Sequence, residues 1–188
     1  MLIANQFLQQ HDTGHSTDTD LPSVTLTLAQ RRRSRQRLTL DQTHEPVGMA
    51  IDRGQTLRNG DLLVATANDQ ANPIHIRVIA ADEDVARVSA DSPWQLARAA
   101  YHLGNRHVLL EINQGYLQFE YDPVLVDMLD QIGDLTTERV QAPFEPDVGA
   151  YGGGHRHGHD ETFDEDYALA QQAYHAHEPS KPAHTDGG

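Results

Sequence analysis

Hydrophobic and polar positions alternate with period two through the first part of the chain. Val24, Leu26 and Leu28 share one face, Leu38 and Leu40 continue a second strand, and Val47 to Ile51 makes a third. Arg58-Asn59-Gly60-Asp61 reads as a hairpin-type turn into Leu62-Leu63-Val64, because Asn-Gly readily supplies two residues at positive φ. Ile74, Ile76 and Val78 then alternate with His75 and Arg77. No segment before residue 90 has helical spacing, and residues 9–22 read as a long polar loop.

After Ala80 the period changes. Val85 to Val88 is a strand, and Ser92-Pro93-Trp94-Gln95 announces a helix: Ser92 as N-cap, Pro93 in the first turn, Gln95 as reciprocal member of a capping box. Leu96, Ala99, Ala100 and Leu103 follow at helical spacing, with Gly104 suited to a left-handed cap. Val108, Leu110 and Ile112 form a strand, Asn113-Gln114-Gly115 turns it, and Leu117, Phe119 and Tyr121 return. Asp122-Pro123 caps a second helix that buries Val124, Leu125, Met128, Leu129 and Ile132 and ends at Gly133. A last strand falls within Thr136 to Val140, and Pro143-Phe144-Glu145-Pro146 leaves the domain. The order β-α-β-β-α-β is the split βαβ, or ferredoxin-like, unit. The expected fold is α+β: a small all-β N-terminal domain (1–80), a ferredoxin-like βαββαβ domain (81–147) and a disordered histidine-containing C-terminal tail (148–188).

Composition restricts the chemistry. The 188 residues contain no cysteine, which excludes disulfides, thiolate catalysis and cysteine-based metal sites. A net charge of -14 disfavours a nucleic-acid footprint over the whole molecule. Met1 to Gln10 lacks the pattern of a signal peptide, and no apolar run approaches the ~20 residues that span a bilayer, so a soluble cytoplasmic protein is expected. No nucleophile elbow, P-loop or His-Glu-x-x-His is present, so no catalytic constellation is expected.

The chemistry concentrates in histidine. Gly149-Ala150-Tyr151-Gly152-Gly153-Gly154-His155-Arg156-His157-Gly158-His159 places three imidazoles on alternating positions of a glycine-rich segment. From His155 to Gly188 lie six of the twelve histidines and seven Asp/Glu against Arg156 and Lys181, the composition of a metal-collecting tail or of a polar terminus. His102 lies on the flank of the first helix's packed face, where a histidine also suits the carbonyl end, and His107 stands beyond the cap. Imidazole with carboxylate suits Ni(II), Cu(II) or Zn(II) without choosing among them. Proton and metal compete for the same nitrogens, so such binding should weaken between roughly pH 7 and pH 5. The run Arg31-Arg32-Arg33-Ser34-Arg35-Gln36-Arg37 could grip phosphates. Within a strand, Arg33, Arg35 and Arg37 instead line a solvated face, which could also dock an acidic partner.

Tyr101 to His107, the Asp-Pro-x-Leu-x-Asp-Met-Leu helix from Asp122 to Leu129, and the block from Pro143 to His159 together resemble the urease accessory protein UreE family. The arginine-rich strand with Leu38 to Leu40, and Gly54 to Val64, resemble its N-terminal domain. The resemblance implies a nickel metallochaperone rather than an enzyme. It implies a homodimer in which His107 and its symmetry mate share a metal ion, with His155, His157 and His159 completing or extending the site and His102 nearby. The implied partners are a urease accessory GTPase, the other urease accessory proteins and apo-urease, with neither membrane nor nucleic acid. Two departures stand out: Glu120-Tyr121-Asp122-Pro123 lacks the extra histidines of some members, and the tail is sparse and acidic, so storage capacity should be modest. The remaining alternatives are a general nickel/zinc buffering protein and a nucleic-acid-binding module built on the arginine strand.

Overall fold

A computed structural model describes residues 2–10, 20–66 and 73–147. The first 80 residues build a six-stranded mixed sheet from β1 (Leu2–Leu8), β2 (Ser23–Leu26), β3 (Arg35–Thr39), β4 (Pro46–Ala50), β5 (Leu62–Thr66) and β6 (Ile74–Ala80), in the order β2-β6-β5-β1-β4-β3. Alternation works as expected: Val47 and Met49, Ile76 and Val78, and Leu38 turn inward into one buried cluster with Val24 and Leu63. The end strands approach each other, because Asp41, just past β3, accepts from the Ser23 and Thr25 hydroxyls of β2 at 2.7 and 2.9 Å. The sheet is rolled over its own apolar face, so it needs no covering helix.

Several features differ from expectation. Leu28 does not extend β2. Thr27 and Gln30 form a reciprocal capping box that starts a one-turn helix, α1 (Leu28–Arg31). This small helix removes Arg31 from the solvated row and buries it completely, whereas Arg33, Arg35 and Arg37 are exposed. Arg58 to Asp61 does form a turn, closed by the Asp61 N–H donating to the Arg58 carbonyl at 3.2 Å. Only Gly60 has positive φ (86°), and no hairpin results, since β5 pairs with β1 and β6. A Cβ at Gly60 would meet only the movable end of the Gln10 side chain, at 2.7 Å, so it is the positive φ that favours glycine there.

The second sheet contains β7 (Asp82–Ser89), β8 (Glu111–Asn113), β9 (Tyr116–Glu120) and β10 (Thr136–Pro143), with α2 (Pro93–Gly104) between β7 and β8 and α3 (Pro123–Ile132) between β9 and β10. Its order is β10-β7-β9-β8, every neighbouring pair antiparallel. Ser92 and Asp122 cap the helices as expected, accepting from the Trp94 and Val124 N–H groups. Gln95 does not reciprocate; its side chain donates to Asp134 instead. Ala99 and Leu103 of α2 and Leu129 of α3 pack on Ala86, Val88, Leu117 and Phe119. Val124, expected inside, is 71% exposed, because Asp122-Pro123 starts α3 with that side turned outward. The strand expected from Val108 shrinks to Glu111–Asn113, and β10 runs three residues past Val140.

The opposite face of this sheet meets the first. Val85 and Ala142 there pack on Leu28 of α1 and on Phe144, which is 2% exposed. Pro143 to Pro146 therefore does not leave the domain. It is a strap across the joint between the two sheets.

Candidate functional site

The site is built at the C-terminal end of α2. The left-handed residue there is not Gly104 but His107, at φ 56°. Helical geometry continues through Asn105 (φ −62°), the His107 N–H donates to the Gly104 carbonyl at 2.9 Å, and the Val108 N–H reaches back to Leu103 at 3.2 Å. These two bonds define a Schellman turn with His107 at the position usually given to glycine. The turn satisfies otherwise orphaned carbonyls, while Val108 packs into the core that holds Leu103. A histidine in this conformation costs more than glycine would, and such strain is concentrated where side chains have work to do. The imidazole is held at a fixed point on the surface, exposed, one turn beyond a capped helix.

Beside it, Val108, Leu109, Glu120, Tyr121, Asp122, Pro123 and Leu125 line a shallow cavity of about 520 Å³. Leu109 at its mouth is 37% exposed. His102, in the last turn of α2, is half-buried, packs edge-on to the Tyr101 ring at 5.4 Å, and its carbonyl accepts from Arg106. Among the described residues no three His, Asp or Glu side chains converge on one point. His107 and His102 alone therefore make an incomplete ligand set for a tetrahedral or octahedral ion. His155, His157 and His159 lie outside the described residues.

The strap supplies what sequence reasoning missed. Arg31 donates to Glu145 at 2.8 Å, to the Leu57 carbonyl at 3.2 Å and to the Phe144 carbonyl. Burial pulls the guanidinium below its usual range, and the Glu145 charge opposes that pull. Glu145 also accepts from the Asn59 N–H, while its own N–H donates to Glu111. Arg58 binds the Pro146 carbonyl at 2.9 Å. Finally, the Asp147 N–H donates to Leu110, and the Asp147 carboxylate accepts from the Ile112 N–H, both at 2.8 Å. The chain thus departs toward the histidine block from a point clamped three residues beyond His107. The Pro-Phe-Glu-Pro sequence, rigid and bearing one aromatic and one acid, was the available signal for this strap.

Comparison with known proteins identifies the family. The family model described as the UreE urease accessory protein C-terminal domain matches residues 83–185, and that for the N-terminal domain matches residues 4–73. Urease accessory protein UreE of Bordetella pertussis (strain Tohama I) is 65% identical over 178 residues, 95% of this chain and 84% of the relative. UreE of Paraburkholderia xenovorans (strain LB400) is 53% identical over 156 residues, 83% of this chain and 66% of the relative. A bifunctional urease accessory protein UreEF of Bordetella bronchiseptica is 65% identical over 178 residues, 95% of this chain and 40% of its own length.

Proposed function

The chain belongs to the UreE family of urease accessory proteins, which are chaperones and not enzymes, and from that premise we propose that it carries Ni(II) as cargo to the urease active site. Its architecture is read as a β-rich N-terminal domain (1–80), a ferredoxin-like domain (81–147) and a histidine-bearing tail (148–188), working in the cytoplasm.

The observation that carries this reading is His107, fixed at a left-handed position where glycine would fold more easily. His44 shares the left-handed backbone (φ 59°) but lies outside the matching sequence block; His107, within it and with no third ligand among the described residues, fits an ion completed from elsewhere. A second copy supplies the equivalent histidine by symmetry, since an isologous contact brings like residue to like residue. The tail histidines His155, His157 and His159 add neutral imidazoles from the same clamped root, and His102 stands close by in sequence. A few imidazoles and no thiolate suit a carrier, which must surrender its ion. Ni(II) is favoured as cargo by the family; Zn(II) and Cu(II) share the same ligand preferences. The partners are a urease accessory GTPase, the other accessory proteins and apo-urease, and the bifunctional UreEF relative supports a UreF-type protein among them.

Two variants test the site against its fold. His107→Ala should abolish the tightest nickel binding in calorimetry. His107→Gly should do the same while leaving stability unchanged or raising it by about 1 kcal/mol, because glycine relieves the left-handed strain. Tight binding preserved in both variants would remove His107 from the site.

A further inference from the structure

The turn that carries His107 runs into the least supported strand of the second sheet. Val108 to Leu110 belong to no helix or strand. Their near end is fixed, since the Val108 N–H reaches the Leu103 carbonyl at 3.2 Å and the Val108 side chain packs into the core. Their far end enters β8, three residues long, at the edge of the sheet and paired only with β9. Ile112, at its centre, is 60% exposed, so burial does little to hold this strand in place.

An edge strand aims the N–H and carbonyl of every second residue away from its neighbour. In β8 and its approach, Leu110 and Ile112 present such outward groups, and Asp147 takes one from each. The Asp147 N–H donates to the Leu110 carbonyl, and the Asp147 carboxylate accepts from the Ile112 N–H, both at 2.8 Å. A single residue thereby stands in for the strand that the sheet lacks. Between these bonds, the Glu111 side chain accepts from the Glu145 N–H at 2.6 Å, and Glu145 is anchored in turn by Arg31. The strap therefore fixes the far end of the His107 segment to the joint. A left-handed histidine persists only where its surroundings over-determine the backbone, and here the restraint comes from both sides.

We propose that Asp147 is a positioning residue for His107. By pinning Leu110 and Ile112 it holds the backbone that keeps the exposed imidazole in its left-handed setting, and so raises the affinity for nickel. This inference rests on the reading of His107 as a ligand. Asp147 works through one acceptor oxygen and its backbone N–H, not through charge, so a neutral amide at the same position serves equally.

The test uses the full-length protein and nickel alone. Asp147→Ala should weaken the tightest nickel site about tenfold in calorimetry, the scale on which loss of an outer-shell partner acts. Asp147→Asn keeps an oxygen to accept from the Ile112 N–H and should restore wild-type affinity. In metal-free protein, amide hydrogen exchange at Ile112 should quicken in Asp147→Ala and not in Asp147→Asn, with the circular dichroism spectrum unchanged in both. Added to His107→Ala, Asp147→Ala should cause no further loss, because the residue acts through the imidazole. Binding as weak in Asp147→Asn as in Asp147→Ala would mean that the carboxylate acts by its charge or as a ligand, and would overturn the inference. A further loss in the double variant would overturn it too. The two readings fail separately. Unchanged tight binding in His107→Ala removes the site, and this inference with it. Loss in His107→Ala beside full affinity in Asp147→Ala removes only the positioning role.

Discussion

The two sheets solve the problem of burying an apolar face in opposite ways. The first rolls over itself, so that strands from both ends feed one cluster of almost wholly buried side chains, and its exposed large hydrophobics, Ile3, Leu8 and Ile79, reach only 37–40% exposure. The second relies on two helices laid over one face, and most apolar side chains around its seven buried residues are only half-covered. Trp94, Tyr101, Ile112 and Val124 are 60–71% exposed, all of them in this half. The first sheet is finished as a single chain. The second leaves larger apolar side chains exposed, and it is the half that carries His107.

The largest test severs the joint between these regions. Arg31→Met removes a fully buried guanidinium and leaves Glu145 and the Leu57 and Phe144 carbonyls without their donor. The expected cost is about 3–5 kcal/mol in denaturant unfolding, with the two halves melting separately. A loss below about 1 kcal/mol would mean the strap contributes little and the halves are coupled by something else.

A contrast within the second half comes next. Leu129→Ala, in the covered core, should cost about 2–5 kcal/mol, whereas Val124→Ser on the uncovered face should change unfolding by no more than about 0.5 kcal/mol. If the uncovered face is where copies meet, Val124→Ser should instead weaken self-association, measured by sedimentation at graded concentrations. Equal effects of the two substitutions on unfolding would erase the distinction between finished and unfinished surfaces.

The smallest effect belongs to the exposed pair that ties edge strand β10 to its neighbour β7, where Arg139 donates two bonds to Asp84, at 2.9 and 2.6 Å, and stacks on Tyr121 at 4.1 Å. The Arg139 hydrogen bond holds the Asp84 carboxyl below the usual carboxylate range. A depressed folded value means the contribution is complete above the unfolded pKa and is lost as pH falls through the folded one. Asp84→Asn should therefore lower Tm by only about 1–2 °C at pH 7, and the gap should close below about pH 4. A gap that widens on acidification would reverse the sign and break the pairing argument.

What could be read from the chain divides along the same line. Local signals located α2 and α3 at Ser92-Pro93 and Asp122-Pro123, because caps and periodicity act within a few residues. Alternation likewise located β4 to β6. By contrast, β1 was not anticipated: Leu2–Leu8 has no bounding turn signal, and its place near the middle of the sheet depends on pairing with residues 47–49 and 62–66. The burial of Arg31 was equally hidden, since a charged run reads as solvated and its partner is 114 residues away. At the site, the sequence block singled out His107, but the left-handed backbone went to Gly104 by the usual glycine preference. Three further residues of helical geometry moved it to the histidine.

The strap also sets a clock on synthesis. The slot that receives Phe144 and Glu145 is formed by Leu28, Arg31, Asn59, Val85 and Glu111, all of which leave the ribosome before those two are made. At about 5–20 residues per second, Arg31 waits roughly 6–23 s for its carboxylate. During that interval the nascent N-terminal half exposes an apolar seam at Leu28 and an uncompensated cation. A ribosome arrested before Phe144 would hold a chain whose first sheet can form but whose joint cannot, leaving Leu57 and Arg31 open to chaperones and proteases that a completed chain excludes.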